Sequence, residues 1–298
     1  MWKISCGNEK KLLRVLKEKL GVIFYGIEKE NKMGQLGNRM KDYEGVESNR
    51  RFIPLLPVIA RLDGRSFHSL TKKLPRPYCS NFSSIMIATT KYLVEETNAC
   101  IGYTQSDEIS LVFYSDDTKS QIFFDGRIMK MTSTLSAMCS VKFNQEWKKV
   151  MKEYPPNPTF DCRCWNVPTL EEAANAILWR ELDATKNSVQ MAGRSIFSHK
   201  ELHKKHTRMI QEMLFQKGIN WNDYPSFFKR GSFIQRRKAL RAFTGEEIKN
   251  LPPKHEARIN PDLKVQRTEY QLIDMPPFSK VSNRVGVIFY GEEPTVNV

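Results

Sequence analysis

The order of predicted strands and helices between residues 57 and 167 constrains the fold of this chain more than any other feature. Short apolar or alternating runs bounded by turn residues predict strands, and apolar residues at helical spacing predict helices. The predicted elements are, in order, a strand at 57–63, a helix at 80–96, strands at 101–104 and 109–114, a helix at 128–151 and a strand at 159–167. This is the order of the split βαβ, or ferredoxin-like, arrangement. The predicted fold class is therefore α+β, a ferredoxin-like (βαββαβ) domain.

Beyond residue 168 the pattern is less regular. Helical segments are predicted at 169–182 and 198–217, a basic stretch follows at 229–241, and the proline-interrupted tail is left unassigned. No run of about 18 apolar residues predicts a membrane span. The N-terminus has no secretory pattern, and the six cysteines follow no disulfide framework. We expect reduced thiols and a cytoplasmic protein with no membrane association.

The topology predicts that three carboxylates converge. In a split βαβ the third strand lies between the first and second, antiparallel to both, so the end of the first strand lies beside the start of the third. Asp63 ends the first strand, and Asp107 and Glu108 begin the third. Clustered carboxylates repel one another unless a cation compensates them, and oxygen ligands suit Mg²⁺. Each acid alone is more typical of a turn or cap, but their joint placement favours a site for two metal ions.

The residues around these acids suggest phosphate binding. Gly64 permits close backbone approach, and the amides that follow it, with Arg65 nearby, could cradle phosphates. Ser106 precedes the second acidic pair and could donate to a phosphate. The formal net charge of +14 favours a polyanionic partner, above all nucleic acid. A basic, phenylalanine-rich cluster between residues 227 and 241 fits contact with a phosphate backbone better than a merely solvated surface.

Two other clusters are interpreted as structural. His199, His203 and His206 are spaced to share one helix face, but they lie in a basic surface run without the glutamate of a zinc protease motif. Cys162 and Cys164 should point to the same face of a strand and are more typical of a core than of a four-ligand zinc site.

One short segment occurs twice. GVIFYGIE at 21–28 and GVIFYGEE at 286–293 are identical at seven of eight positions. Each copy is an apolar, aromatic run bounded by glycines, which predicts a strand. We interpret residues 1–32 as an N-terminal appendage; the alternative is a coincidental pair of similar strands.

The segments RLDGRSFHSLTK (61–72) and GYTQSDEISLVF (102–113) together closely resemble the tRNA-His guanylyltransferase family and its relatives, the 3′–5′ RNA polymerases. Shorter matches follow at 76–77, 160–161 and 229–232, so the resemblance covers roughly residues 33–242. It implies a polymerase-palm version of the ferredoxin-like fold at 33–168, continued by a helical and basic RNA-binding region at 169–298. It also implies a nucleotidyltransferase that extends the 5′ end of tRNA with ATP, GTP and other NTPs, and a homo-oligomer, typically a tetramer.

The resemblance assigns roles residue by residue. Asp63, Asp107 and Glu108 are implied to be catalytic, and Asp63, the Gly64 carbonyl and Asp107 to hold two Mg²⁺ ions. The residues implied to bind the nucleotide are Gly64, Arg65, Ser66, Phe67, His68 and Ser106. The residues implied to face RNA or phosphate are Asn187, Lys229, Arg230 and Ser232.

The chain departs from the family pattern in two places. Members that add G to tRNA-His carry His-Ile-Asn-Asn, whereas residues 185–188 here read TKNS, so only Asn187 matches. This resembles the bacterial and archaeal relatives that repair 5′-truncated tRNAs by templated addition, and it favours repair over G addition to tRNA-His. Cys79 stands where an acidic residue is expected soon after Arg76-Pro77. A nucleotidyl cyclase and a non-catalytic RNA-binding module stay open as alternatives.

Overall fold

The computed structural model describes residues 33–296 apart from 154, 156 and 261. The chain divides into two units, residues 1–47 and 48–298. In the first unit the described part is almost all of helix α1, Met33–Ser48, whose described side chains are mostly exposed. The appendage at 1–32, with the first copy of the repeat, lies outside the described residues.

The second unit is built on one antiparallel sheet of six strands. The strands are β1 (Val58–Gly64), β2 (Ile101–Gln105), β3 (Glu108–Phe113), β4 (Phe160–Asn166), β5 (Ser232–Ala242) and β6 (Lys264–Ile273). Their order across the sheet is β4-β1-β3-β2-β5-β6. The first four strands have the ferredoxin-like order, which confirms the predicted fold class.

Strand β5 comes from the predicted basic stretch and extends the sheet beyond the ferredoxin-like unit. Only residues 232–235 pair with β2, whereas residues 233–242 all pair with β6. Residues 236–242 of β5 and their partners, residues 264–270 of β6, therefore form a two-stranded ribbon that projects past the rest of the sheet.

The helices of the second unit are α2 (Phe67–Thr71), α3 (Ser80–Thr97), α4 (Ile128–Met151), α5 (Leu170–Ile196), α6 (His199–Leu202), α7 (Thr207–Gln216), α8 (Ser226–Arg230), α9 (Gly245–Asn250) and α10 (Glu256–Ile259). The predicted end of α5 at residue 182 was wrong by about four turns. Its continuation buries Val189, Ala192 and Gly193 at helical spacing against α7 and α8, and the polar residues between these positions obscure that pattern in the sequence.

The predicted helix at 198–217 was also wrong, because the chain breaks between α6 and α7. Lys204 has a φ of 58°, in the left-handed region, and Ser198 and His206 begin separate helices. His199, His203 and His206 consequently do not share one helix face. Among the described residues, no group of three or more His, Cys, Asp or Glu side chains is arranged to hold a metal ion.

The central strands β1, β2 and β3 are buried on both faces of the sheet. On one face, Val58, Ala60 and Leu62 of β1 pack with α3 and α4. On the other face, Ile59 packs with α5 and with the C-terminal segment. The period of two in β1 therefore places alternate residues in two separate cores, and each helix layer covers one of them.

The second copy of the repeat is not a strand, contrary to the prediction. Gly286–Tyr290 forms a single π-helical turn, and Val287 and Ile288 are fully buried against the sheet. The turn fits because the buried side chain of Gln235 donates hydrogen bonds to the carbonyls of Val287 and Glu292, so this backbone needs no neighbouring strand.

Three of the described cysteines, Cys100, Cys139 and Cys162, are buried, and Cys79 and Cys164 are partly buried. The described ones, Cys79, Cys100, Cys139, Cys162 and Cys164, are all free. Cys162 and Cys164 share a face of β4, with 3.6 Å between their Sγ atoms. No helix in the described part of the chain is long and apolar enough to cross a membrane.

The aromatic core between the sheet and α4 yields a stability prediction. Phe143 is fully buried, and its ring lies 5.2 Å from that of Phe67 and 5.4 Å from that of Phe160. We expect Phe143→Ala to lower the free energy of unfolding by about 3–5 kcal/mol, the range for a buried phenylalanine. Val141→Ala, on the exposed side of the same helix, should change it by less than about 0.5 kcal/mol. Urea denaturation of both variants measures the difference, and equal losses would contradict this packing.

Candidate active site

Backbone pairing brings the predicted carboxylates together at one edge of the sheet. Asp63 lies directly opposite Glu108 on β3 and directly opposite Asp161 on β4. The Gly64 amide donates a 3.0 Å hydrogen bond to the Asp107 carbonyl. The strand ends therefore converge as the topology predicts. Asp161 also lies at this end of the sheet, but its carboxylate is 3.5 Å from Arg163 Nη2 and does not line the cleft described below.

The turn between β2 and β3 positions Asp107. Gln105 pairs with Glu108 across a two-residue turn, and Ser106 takes the left-handed conformation, with a φ of 52°. The Ser106 hydroxyl donates to Asp107 Oδ1 at 3.0 Å, and the Thr104 hydroxyl donates to the Glu108 carbonyl at 2.9 Å. These bonds close the turn and hold the Asp107 carboxylate in a defined position.

An open cleft of about 380 Å³ lies over these residues. Its lining residues are Asp63, Gln105, Ser106, Asp107, Glu108, Arg180, Asn187, Gln190, Met191 and Arg194. Asn187 thus joins the acidic residues in one cavity, while Lys229, Arg230 and Ser232 do not line it. Cys79 lies in an adjoining pocket with Tyr78, Phe82 and Phe227, and that pocket shares Gln105 and Ser106 with the cleft.

Glu108 is neutralised within the chain. Arg180 Nε donates to Glu108 Oε1 at 2.6 Å and Arg180 Nη2 donates to Oε2 at 2.8 Å, forming a bidentate pair whose side chains are 13% and 14% exposed. Burial raises the pKa of the Glu108 carboxyl, and the bonds and charge of Arg180 oppose that rise. At Arg180 burial lowers the pKa of the guanidinium, but Glu108 and Asp183 outweigh it, and the group stays charged.

Asp63 and Asp107 have no such partner. Among the described residues, no Lys, Arg or His lies within ion-pair distance of either carboxylate. The pKa of the Asp107 carboxyl is raised, and burial is the largest cause. The hydrogen bond from Ser106 opposes this rise in pKa, and the charge of Asp63 adds to it. Two neighbouring carboxylates without a protein cation suit Mg²⁺, which commonly takes one or two carboxylates together with substrate phosphates.

The segment after Asp63 is fixed at both ends. The amides of Gly64 and Arg65 are bonded to the carbonyls of Asp107 and Thr159, at 3.0 and 2.9 Å. Ser66 has a φ of 58° and precedes α2, whose first amides, starting with Phe67, have no acceptor inside the helix. These amides, rather than those of Gly64 and Arg65, are the ones oriented to meet an anion.

Individual side chains of this segment differ in what they can contact. Arg65, Ser66 and His68 are exposed, whereas Phe67 is 2% exposed and belongs to the aromatic core. A β-carbon on Gly64 would overlap the Phe67 ring, so glycine is required there by packing. Phe67 can therefore contact a nucleotide only through its backbone.

The other three residues predicted to face RNA lie outside the lining of the cleft. Lys229 Nζ lies 5.7 Å from the centroid of the Trp221 ring and donates to the Asn222 carbonyl. Arg230 Nε is 3.9 Å from the buried carboxylate of Glu181, and Ser232 is buried at the start of β5.

Further along the basic stretch, several charges are compensated within the chain. Arg236 donates to the Asn98 carbonyl, Arg237 pairs with Glu293 and Arg241 pairs with Glu247. Lys238 is exposed and has no ion-pair partner among the described residues. The predicted phosphate-binding cluster is therefore less free than its sequence indicates.

Sequence analysis named Asn187 but missed Arg180 and Asp183, the residues of α5 that connect it to the acidic site. Arg180 stacks on the Trp179 ring, with 4.5 Å between Cζ and the ring centroid, and also bonds Asp183 Oδ2 at 3.1 Å. Asn187 Nδ2 reaches the same Asp183 oxygen at 3.3 Å. An electrostatic argument could have found Arg180. Three neighbouring acids need a nearby cation, and Arg180 lies on the helix that is predicted to follow the last strand.

The chain is similar to proteins of one family. A family model described as Thg1, tRNAHis guanylyltransferase, matches residues 37–168. A probable tRNA(His) guanylyltransferase of Dictyostelium discoideum is 32% identical over 195 residues, and the match covers 59% of this chain and 74% of that protein. The structure of a bacterial Thg1-like protein in complex with ATP is 35% identical with a TM-score of 0.64, covering 67% of this chain and 88% of that one. A second bacterial Thg1-like structure, in complex with GTP, is 29% identical with a TM-score of 0.63, covering 83% and 94%.

The Glu108–Arg180 pair yields a prediction on stability. Arg180→Gln leaves the buried Glu108 carboxylate without its cation, and we expect it to lower the free energy of unfolding by about 3 kcal/mol. Adding Glu108→Gln should restore part of that loss, with a coupling energy of about 2 kcal/mol in a double-mutant cycle measured by urea denaturation.

Arg194→Gln is the matched control for this cycle. It changes an exposed arginine of the same cleft and should shift the free energy of unfolding by less than about 0.5 kcal/mol. Strictly additive losses for Arg180→Gln and Glu108→Gln would show that the two side chains are not coupled.

Proposed function

This chain belongs to the tRNA(His) guanylyltransferase family, whose members are nucleotidyltransferases, and from that premise we propose that it adds nucleotides in the 3′–5′ direction to the 5′ end of tRNA. The observation that carries the proposal is the pair formed by Asp63 and Asp107. Both carboxylates line the open cleft, and among the described residues no Lys, Arg or His lies within ion-pair distance of either one. The third acid, Glu108, is already neutralised by Arg180.

The proposed reaction has two steps, as the family resemblance implies. In the first, an oxygen of the tRNA 5′-monophosphate bonds to the α-phosphorus of ATP, and pyrophosphate leaves. In the second, the 3′-hydroxyl oxygen of an incoming nucleoside triphosphate bonds to the 5′-phosphorus, and AMP leaves. Both steps displace a group at phosphorus and develop negative charge on the attacking and leaving oxygens.

The residues of this chain would divide that work between them. Asp63, Asp107 and the Gly64 carbonyl would hold two Mg²⁺ ions, which supply positive charge to those oxygens when bound. Arg65 and the first amides of α2 would face the triphosphate. The adjoining pocket, with the rings of Tyr78, Phe82 and Phe227, has the apolar character that suits a nucleobase. Arg180 would hold Glu108 so that it supports the site without binding a metal ion.

Templated repair of 5′-truncated tRNA is the activity that we favour, with G addition to tRNA-His as the alternative. The family pattern for G addition has two asparagines at positions 187 and 188. Asn187 is exposed in the cleft, whereas Ser188 is fully buried and bonded to the Lys229 carbonyl and the Trp221 indole. Position 188 therefore serves packing here, which supports the loss of the G-addition pattern.

The wider assignments are proposals of the same kind. Residues 33–168 would form the palm-like catalytic part, and residues 169–298 would supply RNA contacts through Asn187, Lys229, Arg230 and Ser232. We also propose a cytoplasmic location and a homo-oligomer, with a tetramer as the expected form.

The carboxylates give the central prediction. With Mg²⁺, labelled NTPs and a 5′-monophosphorylated tRNA lacking its first nucleotide, we expect templated 5′ extension by the unmodified protein. Asp63→Ala and Asp107→Ala should each reduce the rate by roughly 10³-fold, because each removes several kcal/mol of charge stabilisation. Asp116→Ala, an exposed acid beyond the opposite end of β3, should leave the rate unchanged.

Other outcomes of this assay point elsewhere. Extension that survives in either variant would exclude the proposed site. A cyclic nucleotide formed without RNA would indicate a cyclase, and tRNA binding without any product would indicate an RNA-binding module. Intact tRNA-His run in parallel separates G addition from repair.

RNA contact by Lys229 gives a separate prediction. Lys229→Ala should weaken tRNA binding at low salt and reduce the slope of log K against log salt concentration by about 1, the value for a single phosphate contact. Lys254→Ala, an exposed lysine far along the chain, is the control and should change neither quantity. Filter binding at several salt concentrations measures both, and an unchanged slope in Lys229→Ala would exclude the contact.

A further inference from the structure

The second copy of the repeated segment, residues 286–293, is held against the sheet by residues that we call the tail dock. These residues are Tyr103, Tyr114, Phe233, Gln235, Arg237 and Phe278. Five of these residues lie on β2, on β5 or just after β3, and Phe278 lies in a short 3-10 turn after β6. The tail dock is separate from the carboxylate cleft, since none of the six residues lines that cleft.

The polar contacts of the tail dock are made by two side chains. Gln235, which is fully buried, donates through Nε2 to the carbonyls of Val287 and Glu292, at 2.8 Å each. Its Oε1 accepts from Arg237 Nη2 at 2.6 Å, and Arg237 Nη1 pairs with Glu293 Oε1 at 2.6 Å. The contacts with Val287 and Glu292 use only the backbone of the segment, and the contact with Glu293 uses its carboxylate.

The apolar contacts are made by three consecutive side chains. Val287 and Ile288 are fully buried in the aromatic cluster of the tail dock. The Phe289 ring meets the Tyr114 ring edge to face, with 5.3 Å between centroids. Gly291 then turns the chain with a φ of 70°, a conformation that favours glycine, and packs closely on Arg237.

The first copy of the repeat, residues 21–28, carries the same groups. The counterparts of Val287, Ile288, Phe289, Gly291 and Glu293 are Val22, Ile23, Phe24, Gly26 and Glu28. The two copies differ only at Glu292, which is Ile27 in the first copy. Glu292 reaches the tail dock through its carbonyl, which any residue supplies, so the difference removes no bond to the tail dock.

The side chain of Glu292 instead holds the C-terminal segment to itself. Asn283 Nδ2 donates to Glu292 Oε2 and to the Glu293 carbonyl, at 2.9 Å each. The Ser282 amide also donates to the Thr295 carbonyl at 2.9 Å. These bonds stabilise residues 286–293 in the tail dock relative to residues 21–28. Replacing the second copy of the repeat by the first therefore has an unfavourable free energy.

We propose that residues 21–28 of a second copy of this chain bind the tail dock in place of the dock's own residues 286–293. The incoming segment remakes the bonds to Gln235 and Arg237 and refills the aromatic cluster with the same side chains, which makes exchange of a repeated element between copies inexpensive. Two contributions to the free energy oppose the exchange. The Asn283 bonds are broken, and two molecules lose translational and rotational entropy when they associate. The exchanged form is therefore a minor species that increases with protein concentration. This proposal is independent of the catalytic one, since it uses no residue of the cleft.

Photo-crosslinking of the full chain tests the exchange directly. A full-length protein carrying p-benzoylphenylalanine at position 24 is prepared with natural and with ¹⁵N-labelled isotopes, and the two are mixed at equal concentration and irradiated. We expect crosslinks from position 24 to the peptides that contain Tyr114 or Gln235, in mixed-isotope pairs, with a yield that rises with concentration. The same photo-probe at position 289 marks the crosslinks expected within one chain.

Three variants should change the crosslink yield in predicted directions. Ile23→Asp should abolish the crosslink from position 24, because a carboxylate cannot enter the apolar cluster. Glu292→Ile, which makes the two copies identical, should raise its yield by roughly fivefold, the effect of removing one net hydrogen bond. Asn283→Ala should raise the yield further, because it also removes the bonds to the Glu293 carbonyl and the Thr295 amide. A cooperative thermal unfolding transition in each variant shows that it is folded.

The opposite results overturn the proposal. Crosslinks from position 24 that never reach the tail dock would show that the first copy is not its ligand. Crosslinks confined to same-isotope pairs would place the ligand in the same chain rather than a second copy. A yield unchanged by Glu292→Ile and by Asn283→Ala would show that the two segments do not compete.

Discussion

The ion pair between Glu108 and Arg180 determines how the acidic edge of the sheet can be used. Antiparallel pairing forces Asp63, Glu108 and Asp161 into direct opposition, and the turn adds Asp107 beside them. Arg180 removes one of these charges from the competition for a cation and ties α5 to the sheet through two short hydrogen bonds. The two acids left uncompensated, Asp63 and Asp107, are thereby distinguished from Glu108, although all three arise from the same strand pairing.

Most of the sheet could be predicted from the sequence, because strand order and strand ends follow from local patterns. Once the ferredoxin-like order is recognised, the approach of Asp63 to Glu108 is a matter of topology and needs no knowledge of packing. Arg180 could not be placed this way. It lies 72 residues from Glu108, and its reach depends on how α5 packs on the sheet through buried apolar residues such as Ala173 and Ile177. The extension of α5 past residue 182 was hidden for a similar reason.

Other features were concealed because one residue serves two purposes. Phe67 lies in a segment that resembles a nucleotide-binding motif, yet its ring is part of the aromatic core, and Gly64 is needed to make room for that ring. The repeated GVIFYG run is apolar and aromatic, as strands are, but the side chain of Gln235 takes the place of a strand partner. Local propensity cannot reveal a backbone that is satisfied by a side chain from a distant strand.

The two-stranded ribbon of residues 236–242 and 264–270 should lose local stability with added salt more than the rest of the sheet does. A two-stranded ribbon is marginal by itself, and this one is held partly by charge: Arg241 pairs with Glu247 and with Glu269, and it lowers the pKa of Glu247 to about 2. Such exposed pairs weaken as salt screens them. Strands β1 and β3 of the palm-like core are buried on both faces and held by apolar packing, so we expect a weaker dependence on salt there. Added salt should therefore accelerate amide hydrogen exchange in the ribbon while leaving β1 and β3 protected. The free energy of local opening would then differ more between the two ends of one continuous sheet.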